Sequence, residues 1–322
     1  MSARRIRQSQ QRGIALIAAL WLTILLTVIA SSFAYSMRSE ALAARNSLSM
    51  AQARAVADGA VERMAFELQR PRQLADAWTA DGVTRSWKDG EATVVATAVD
   101  ETAKIDINAA SEALMRGLLV NVGGVDAATA AALVDATMDW KDADVLRRPN
   151  GAEEADYVAA GRKYRPANAP FETTGELQRV LGMTPALFAR IGDAITVYSR
   201  QGGVNTATAS REVLLALPNA TPETVDAYLQ LRGDALAGKL KPPPFAPAQG
   251  FQSQALPVWR IHAEATLGDG VTFVRDAVVR PSGDPRRPLI ALLWQEGVGA
   301  APAAAKPVDP NAGAGANPAA RN

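Results

Sequence analysis

The sequence predicts an α+β fold in which one long N-terminal helix packs on an antiparallel sheet, and a large all-α insertion interrupts that sheet. Three observations carry the prediction. An uncharged run from Ile14 to Met37 leads into an Ala-rich stretch with no proline before Pro71. Strand-like patterns form two separate blocks, one near Val83–Val99 and one near Pro257–Trp294. Between them, from Asp106 to about Arg232, the pattern is helical.

The N-terminal helix comes first. Arg4, Arg5, Arg7 and Arg12 precede it without an acidic residue, and the 24 residues from Ile14 to Met37 carry no charge. As a helix that run is about 36 Å long, enough to cross a bilayer with some tilt. Basic residues before it and a large polar region after it place the N-terminus in the cytoplasm and the bulk of the chain outside. Three readings of the segment stand side by side. A cleaved secretory signal has a shorter apolar core, although Ala30 to Ala34 offers a small-residue site. A plain membrane anchor needs nothing more than the length. The junction Arg12-Gly13-Ile14-Ala15-Leu16-Ile17 also resembles a type IV prepilin leader, cut after Gly13 so that Ile14 becomes the new N-terminus.

The stretch beyond the span favours the third reading. From Ser39 to Gln69 nothing breaks the helix, and Val56, Ala60, Met64 and Leu68 recur every four residues with Ala53, Ala57 and Val61 beside them. A single helix from about Ile14 to Arg70 would be roughly 85 Å long. Its first half would lie in lipid or against neighbouring subunits, its second half on a globular domain.

Past Pro71 the strands Val83–Trp87 and Glu91–Val99 flank an Asp89-Gly90 turn. Strands return at Pro257–Leu267, Val271–Val279 and Pro288–Trp294, with Gly268-Asp269-Gly270 as a second turn. The residues between them hold a weak repeat: Asp106-Ile107-Asn108-Ala109-Ala110 is echoed by Gly203-Val204-Asn205-Thr206-Ala207, each followed by two helices joined by a short turn. A related unit surrounds Val180-Leu181-Gly182-Met183-Thr184. These units look like helix-hairpin-helix (SAM-like) elements, a shape that grips nucleic-acid phosphates through glycine-rich hairpins and basic side chains. Here the second copy lacks the glycines and the first hairpin is followed by Asp126 and Asp135, which favours a packing module. The domain reading is therefore 1–13 leader, 14–70 helix, 71–105 with 250–296 sheet, 106–249 helical insertion, and 297–322 a disordered Ala/Pro/Gly-rich tail.

Composition narrows the chemistry. A net charge of +1 argues against bulk electrostatic binding to nucleic acid, and with no cysteine there is no disulfide framework or thiol nucleophile. The single histidine, His262, sits in an alternating strand and reads as structural; a serine-type triad would require it. No catalytic residue is assigned. Carboxylates concentrate between Asp139 and Asp156, six of them against three basic residues. Asp139, Asp142 and Asp144 fall near a helix end where backbone carbonyls are also free, a donor set of hard oxygens that suits Ca²⁺. The spacing is not that of an EF-hand, and a solvated acidic loop paired to Arg147 and Arg148 is the competing reading.

Taken in order, the leader, Asp139-Trp140-Lys141-Asp142-Ala143-Asp144, Gly151-Ala152-Glu153-Glu154-Ala155-Asp156-Tyr157, Tyr164-Arg165-Pro166-Ala167-Asn168-Ala169-Pro170-Phe171, Glu176-Leu177 and Asn205-Thr206-Ala207 resemble the minor pseudopilin K family of the type II secretion system. The resemblance implies a pilin-like fold and an inner-membrane, single-pass precursor with its bulk in the periplasm. It implies cleavage by prepilin peptidase between Gly13 and Ile14, with methylation of the new N-terminus. It further implies capping of the pseudopilus tip with minor pseudopilins I and J, above the major pseudopilin, and possible contact with secreted substrates and the outer-membrane secretin. Calcium in the insertion is part of the same implication, with the ligand role carried to Asp139, Asp142, Asp144 and Glu153, and less firmly to Glu154 and Asp156. Most pilin-like subunits have a glutamate fifth after the cut; here that position is Ala18, which fits a subunit with no neighbour above it. Two alternatives are carried with this reading. One is a membrane-anchored periplasmic DNA-binding protein using the helix-hairpin-helix units. The other is a membrane-anchored periplasmic hydrolase using paired carboxylates.

Overall fold

The computed structural model describes residues 10–71, 77–238, 240–253 and 256–298. The basic residues Arg4, Arg5 and Arg7 and all but the first two residues of the 297–322 tail lie outside the described residues.

Helix α1 runs unbroken from Gln10 to Gln69, 60 residues, and ends just before Pro71, which could not continue it. From Ile14 to Leu48 every residue of α1 is exposed, including Leu16, Trp21 and Phe33. This is a helix long and apolar enough to cross a membrane, with a mean hydropathy of 2.5 in its most apolar window. The first buried residue is Ser49, whose hydroxyl donates to Asp269 at 2.7 Å. Beyond it Ala53, Ala57, Ala60, Val61, Met64 and Ala65 are all buried. The predicted stripe is thus the contact face, with Val56 and Leu68 packed at its margin.

The sheet that receives α1 has the order β1 (Arg85–Asp89), β2 (Ala92–Asp100), β5 (Trp259–Thr266), β6 (Thr272–Asp284) and β7 (Arg287–Glu296), every pair antiparallel. Strands β1 (Arg85–Asp89) and β2 (Ala92–Asp100) meet at the Asp89-Gly90 turn. Val94, Ala96 and Ala98 of β2 turn towards the helix, and so much alanine on both surfaces lets α1 sit close to the sheet.

After Asp100 the chain leaves the sheet. Its course is β3 (Ile105–Asp106), α2 (Glu112–Gly117), a π turn at Leu118–Val122, α3 (Ala127–Lys141) and α4 (Glu154–Ala159). A 3-10 turn at Thr174–Arg179 leads to α5 (Pro185–Ile191), β4 (Ile195–Thr196), α6 (Arg211–Leu215) and α7 (Pro222–Ala237). The chain then re-enters the sheet as β5 (Trp259–Thr266), β6 (Thr272–Asp284) and β7 (Arg287–Glu296). β6 extends past the predicted Val279 because its ladder with β7 continues through two irregularities to Asp284.

The insertion has its own core, running from Ala103 to Ala248 and centred on Leu114, Leu118, Leu133, Tyr157, Leu177 and Ile191. It is not all-α, which corrects the sequence expectation. β3 and β4 form a parallel pair, Ile105 with Ile195 and Asp106 with Thr196, all four residues buried. Two strands of two residues, 90 positions apart, have no periodicity to betray them; what makes them strands is tertiary pairing at the mouth of the insertion. Three helix–turn–helix steps share one scheme, in which a residue with positive φ precedes a self-capped helix: Gly124 (+67°), Gly182 (+90°) and Asn219 (+64°).

Candidate functional site

The acidic segment occupies the loop between α3 and α4. Asp139 lies in the last turn of α3 and is wholly buried. Its carboxylate accepts the Arg148 backbone N–H at 3.2 and 3.4 Å, with the Arg148 guanidinium 3.6 Å away. Asp139 thereby closes the loop on itself. Gly151 packs directly against that carboxylate, and any Cβ at this position would run into it. Asp142 is the C-cap of α3, and exposed Asp144 accepts the Leu146 N–H at 2.8 Å. Glu153, buried, begins α4 as its N-cap.

The electrostatics of these groups are coupled. Burial pushes the Glu153 carboxyl above the usual carboxylate range, and the charges of Asp139, Asp142 and Asp144 push it further. Burial likewise raises Asp142, with Asp144 adding to the effect. Asp139 is raised by burial, against the pull of the Arg148 N–H, with the charge of Asp142 raising it further. Four carboxylates whose charges act on one another in this way form a site of concentrated negative potential. Glu154 and Asp156 are drawn elsewhere. Glu154 lies 3.5 Å from Arg165, while Asp156 accepts the Glu153 N–H at 3.0 Å and faces Arg147 at 3.4 Å.

Two buried carboxylate oxygens here have no hydrogen-bond partner, Asp142 Oδ1 and Glu153 Oε1. An unpaired buried acceptor is costly, so a hard cation is the natural complement to this pair. Among the described residues no group of three or more Asp, Glu or His side chains is close enough to hold an ion unaided. The donor set fits calcium in chemistry and charge, and needs further oxygens to complete it.

An aromatic cluster supports the loop from beneath. Trp140 stacks on Phe171 at 6.2 Å and meets Tyr157 and Tyr164 at 5.8 and 6.2 Å. Burial lifts the Tyr157 hydroxyl to about 12, and that hydroxyl accepts the Leu181 N–H at 3.0 Å. Asn108 clamps Phe171 through both its amide atoms, at 2.8 and 2.9 Å.

A second polar constellation, which sequence reasoning missed, sits where the insertion joins the sheet. Glu101 is fully buried and accepts from Arg260 Nε at 2.8 Å, Lys104 Nζ at 3.0 Å and Thr196 Oγ1. Burial works against its charge, but Lys104, Arg260 and Thr196 outweigh it and hold the carboxyl below its ordinary value. Next to it Asp100 accepts from Asn205 Nδ2 and Thr208 Oγ1, both at 2.8 Å. Asp106 accepts the Arg200 N–H at 2.7 Å. The repeated Asn205-Thr206-Ala207 signal is therefore part of the joint between insertion and sheet.

The remaining sequence candidates have plain positions. Gly13 and Ile14 lie within α1, and Ile14 is exposed. His262 is buried on β5 and pairs with Asp276 of β6 through Nδ1 at 2.6 Å. At the three helical hairpins the second helix caps itself: Asp126 accepts the Ala128 and Thr129 N–H groups at 2.9 and 3.0 Å, Thr184 that of Leu187, and Thr221 that of Thr224. These are the donors a phosphate would need.

Comparison with known proteins gives a consistent result. The model of the family described as type II secretion system (T2SS), protein K matches residues 95–200. Type II secretion system protein K of Klebsiella pneumoniae is 31% identical over 253 residues, covering 71% of this chain and 77% of that protein. Its counterpart from Pectobacterium carotovorum subsp. carotovorum is 27% identical, covering 70% and 76%. In fold, the chain is similar to one in the crystal structure of the GspK-GspI-GspJ complex from the enterotoxigenic Escherichia coli type 2 secretion system. The TM-score is 0.57 at 17% identity, over 82% of this chain and 99% of that one.

Proposed function

This chain belongs to the type II secretion system protein K family, and on that premise we propose that it is a minor pseudopilin capping the pseudopilus tip with minor pseudopilins I and J. Its role is structural, in starting assembly of the pseudopilus that exports folded proteins across the outer membrane. The observation that carries the reading is the division of α1: one continuous helix, exposed from Ile14 to Leu48 and packed on the sheet from Ser49 onwards. A plain anchor needs only the apolar part. A helix that continues rigidly into the head serves to place that head at a fixed height and angle on a filament.

Ala18 supports a terminal place. A carboxylate in lipid without a cationic partner is expensive, and a subunit with no neighbour above it has no incoming amine to pair. In this reading the leader is 1–13, the inner membrane holds α1, and the periplasm holds 71–105 with 250–296 as a pilin-like sheet domain and 106–249 as the insertion. The three helical hairpins are helix-hairpin-helix (SAM-like) units used for packing, in keeping with their self-capped helices. Asp139, Asp142, Asp144 and Glu153 would hold calcium, which when bound supplies the positive charge that the buried acceptors lack. The chain's own part is done by Asp139, which fixes the loop, and by Asp142 and Glu153, which offer unpaired oxygens.

Mass spectrometry of the N-terminal peptide from native cells tests the proposal, together with co-purification from detergent extracts. A peptide beginning at N-methylated Ile14, with pseudopilins I and J in the same fraction, is the expected result. A peptide beginning at Met1 or Ser2, with neither partner retained, would refute it.

A further inference from the structure

We infer that Asn168 supplies a neutral oxygen ligand to the cation site between α3 and α4, tying a third chain segment to it. The inference rests on the calcium reading above and extends it to a residue outside the acidic segment.

Six buried side-chain atoms among the described residues lack a hydrogen-bond partner, and three of them are oxygens: Asp142 Oδ1, Glu153 Oε1 and Asn168 Oδ1. The first two belong to the acidic loop. Asn168 is bound to the same loop twice over, since its backbone N–H donates to the Trp140 carbonyl at 2.9 Å and its Nδ2 to the Asp144 carbonyl at 3.1 Å. The second bond fixes the amide orientation, because only the nitrogen can donate to a carbonyl, and so it leaves Oδ1 as the unpaired atom. Asn168 also holds a left-handed backbone (φ +48°), which asparagine tolerates better than most residues and glycine matches without strain. The carboxylates alone do not assemble a site, while calcium takes six to eight oxygens and accepts amide carbonyls among them. A neutral oxygen at this point adds a ligand without adding a further negative charge to the acidic loop.

A rival explanation is on hand. Trp140 Nε1 is buried and unpaired as well, and Asn168 Oδ1 could serve simply to accept from it. The two accounts separate in calcium titration calorimetry and thermal melts of the full chain in detergent. Asn168→Gly keeps the left-handed backbone and deletes the oxygen together with the Nδ2 donor to the Asp144 carbonyl, a single exposed hydrogen bond. The inference expects its calcium affinity to fall at least about tenfold, with little change in Tm in chelator. A drop of Tm in chelator with unchanged affinity would overturn the inference in favour of the rival. Should Asn168→Gly fail to fold, Asn168→Asp decides. It keeps an oxygen and loses the donor to Asp144, so it binds calcium at least as tightly if the oxygen matters, and more weakly if the assignment is wrong. Wild-type protein that takes up no calcium would remove the site itself, a failure distinct from wild-type and Asn168→Gly binding equally well, which removes only Asn168.

Discussion

Replacing Glu101 by Gln should loosen the joint between insertion and sheet while leaving its shape intact. Glu101 is wholly buried and takes charge-assisted bonds from Arg260 and Lys104 as well as one from the Thr196 hydroxyl. Breaking a buried ion pair by neutralising one partner costs about 3–5 kcal/mol, chiefly from the charge left behind. Here the Arg260 side chain retains 35% of its exposure and can recover some water, so about 2–3 kcal/mol is the better figure. For a body of this size that is a fall in Tm of roughly 4–12 °C. The charge state supplies a second check. The folded carboxyl lies below its ordinary value of 4.5, so its contribution is present above the unfolded pKa and is lost as pH falls through the lower folded value. Calorimetric melts of wild type and Glu101→Gln in detergent, from pH 7 down to the acid limit of folding, should therefore converge at the low end. A cost under about 1 kcal/mol at pH 7, or a gap that stays constant into acid, would refute this account of the joint.

The acidic loop gives two further expectations. Because burial and mutual repulsion raise Asp139, Asp142 and Glu153, their protonated forms favour the folded state without a cation, and that contribution fades as pH rises through the raised values. Calcium competes with those protons, so the Tm increase it produces should be larger at pH 7.5 than at pH 5; equal shifts at both would mean that it binds elsewhere. Gly151→Ala places a methyl group in the space of the Asp139 carboxylate and should destabilise the chain by about 1–3 kcal/mol in denaturant titrations, as overpacking does.

How much of the molecule is legible in its sequence depends on how far the cause lies from the effect. The contact face of α1 can be read because Val56, Ala60, Met64 and Leu68 repeat on one helix, and the first hairpin because Asp89-Gly90 names its own turn, with Gly90 at φ +57°. The charged residues of the joint cannot. Asp100, Glu101 and Asp106 look like surface residues until Thr196, Asn205, Thr208 and Arg200 arrive from some hundred positions away to satisfy them. Asp139 reads as an oxygen donor, yet its oxygens are engaged by the loop backbone. Asn168 lies outside the run of acids, and nothing in Ala167-Asn168-Ala169-Pro170 announces that its side chain folds back onto the Asp144 carbonyl.

The pairing of Asp100 with Trp259 carries a consequence for how such a chain tolerates growth. β2 and β5 are adjacent antiparallel strands, so the whole insertion is, in connectivity, the turn of a β-hairpin swollen to domain size. Lengthening a flexible turn from four residues to about 160 costs only about 3 kcal/mol of closure entropy. Even that falls when the turn is itself folded and its two ends are stitched side by side, as the Glu101 N–H stitches them here by donating to the Val258 carbonyl at 2.7 Å. The register of the sheet is therefore indifferent to what hangs from that corner, and the head can change size and shape without disturbing the strands that seat it on the helix.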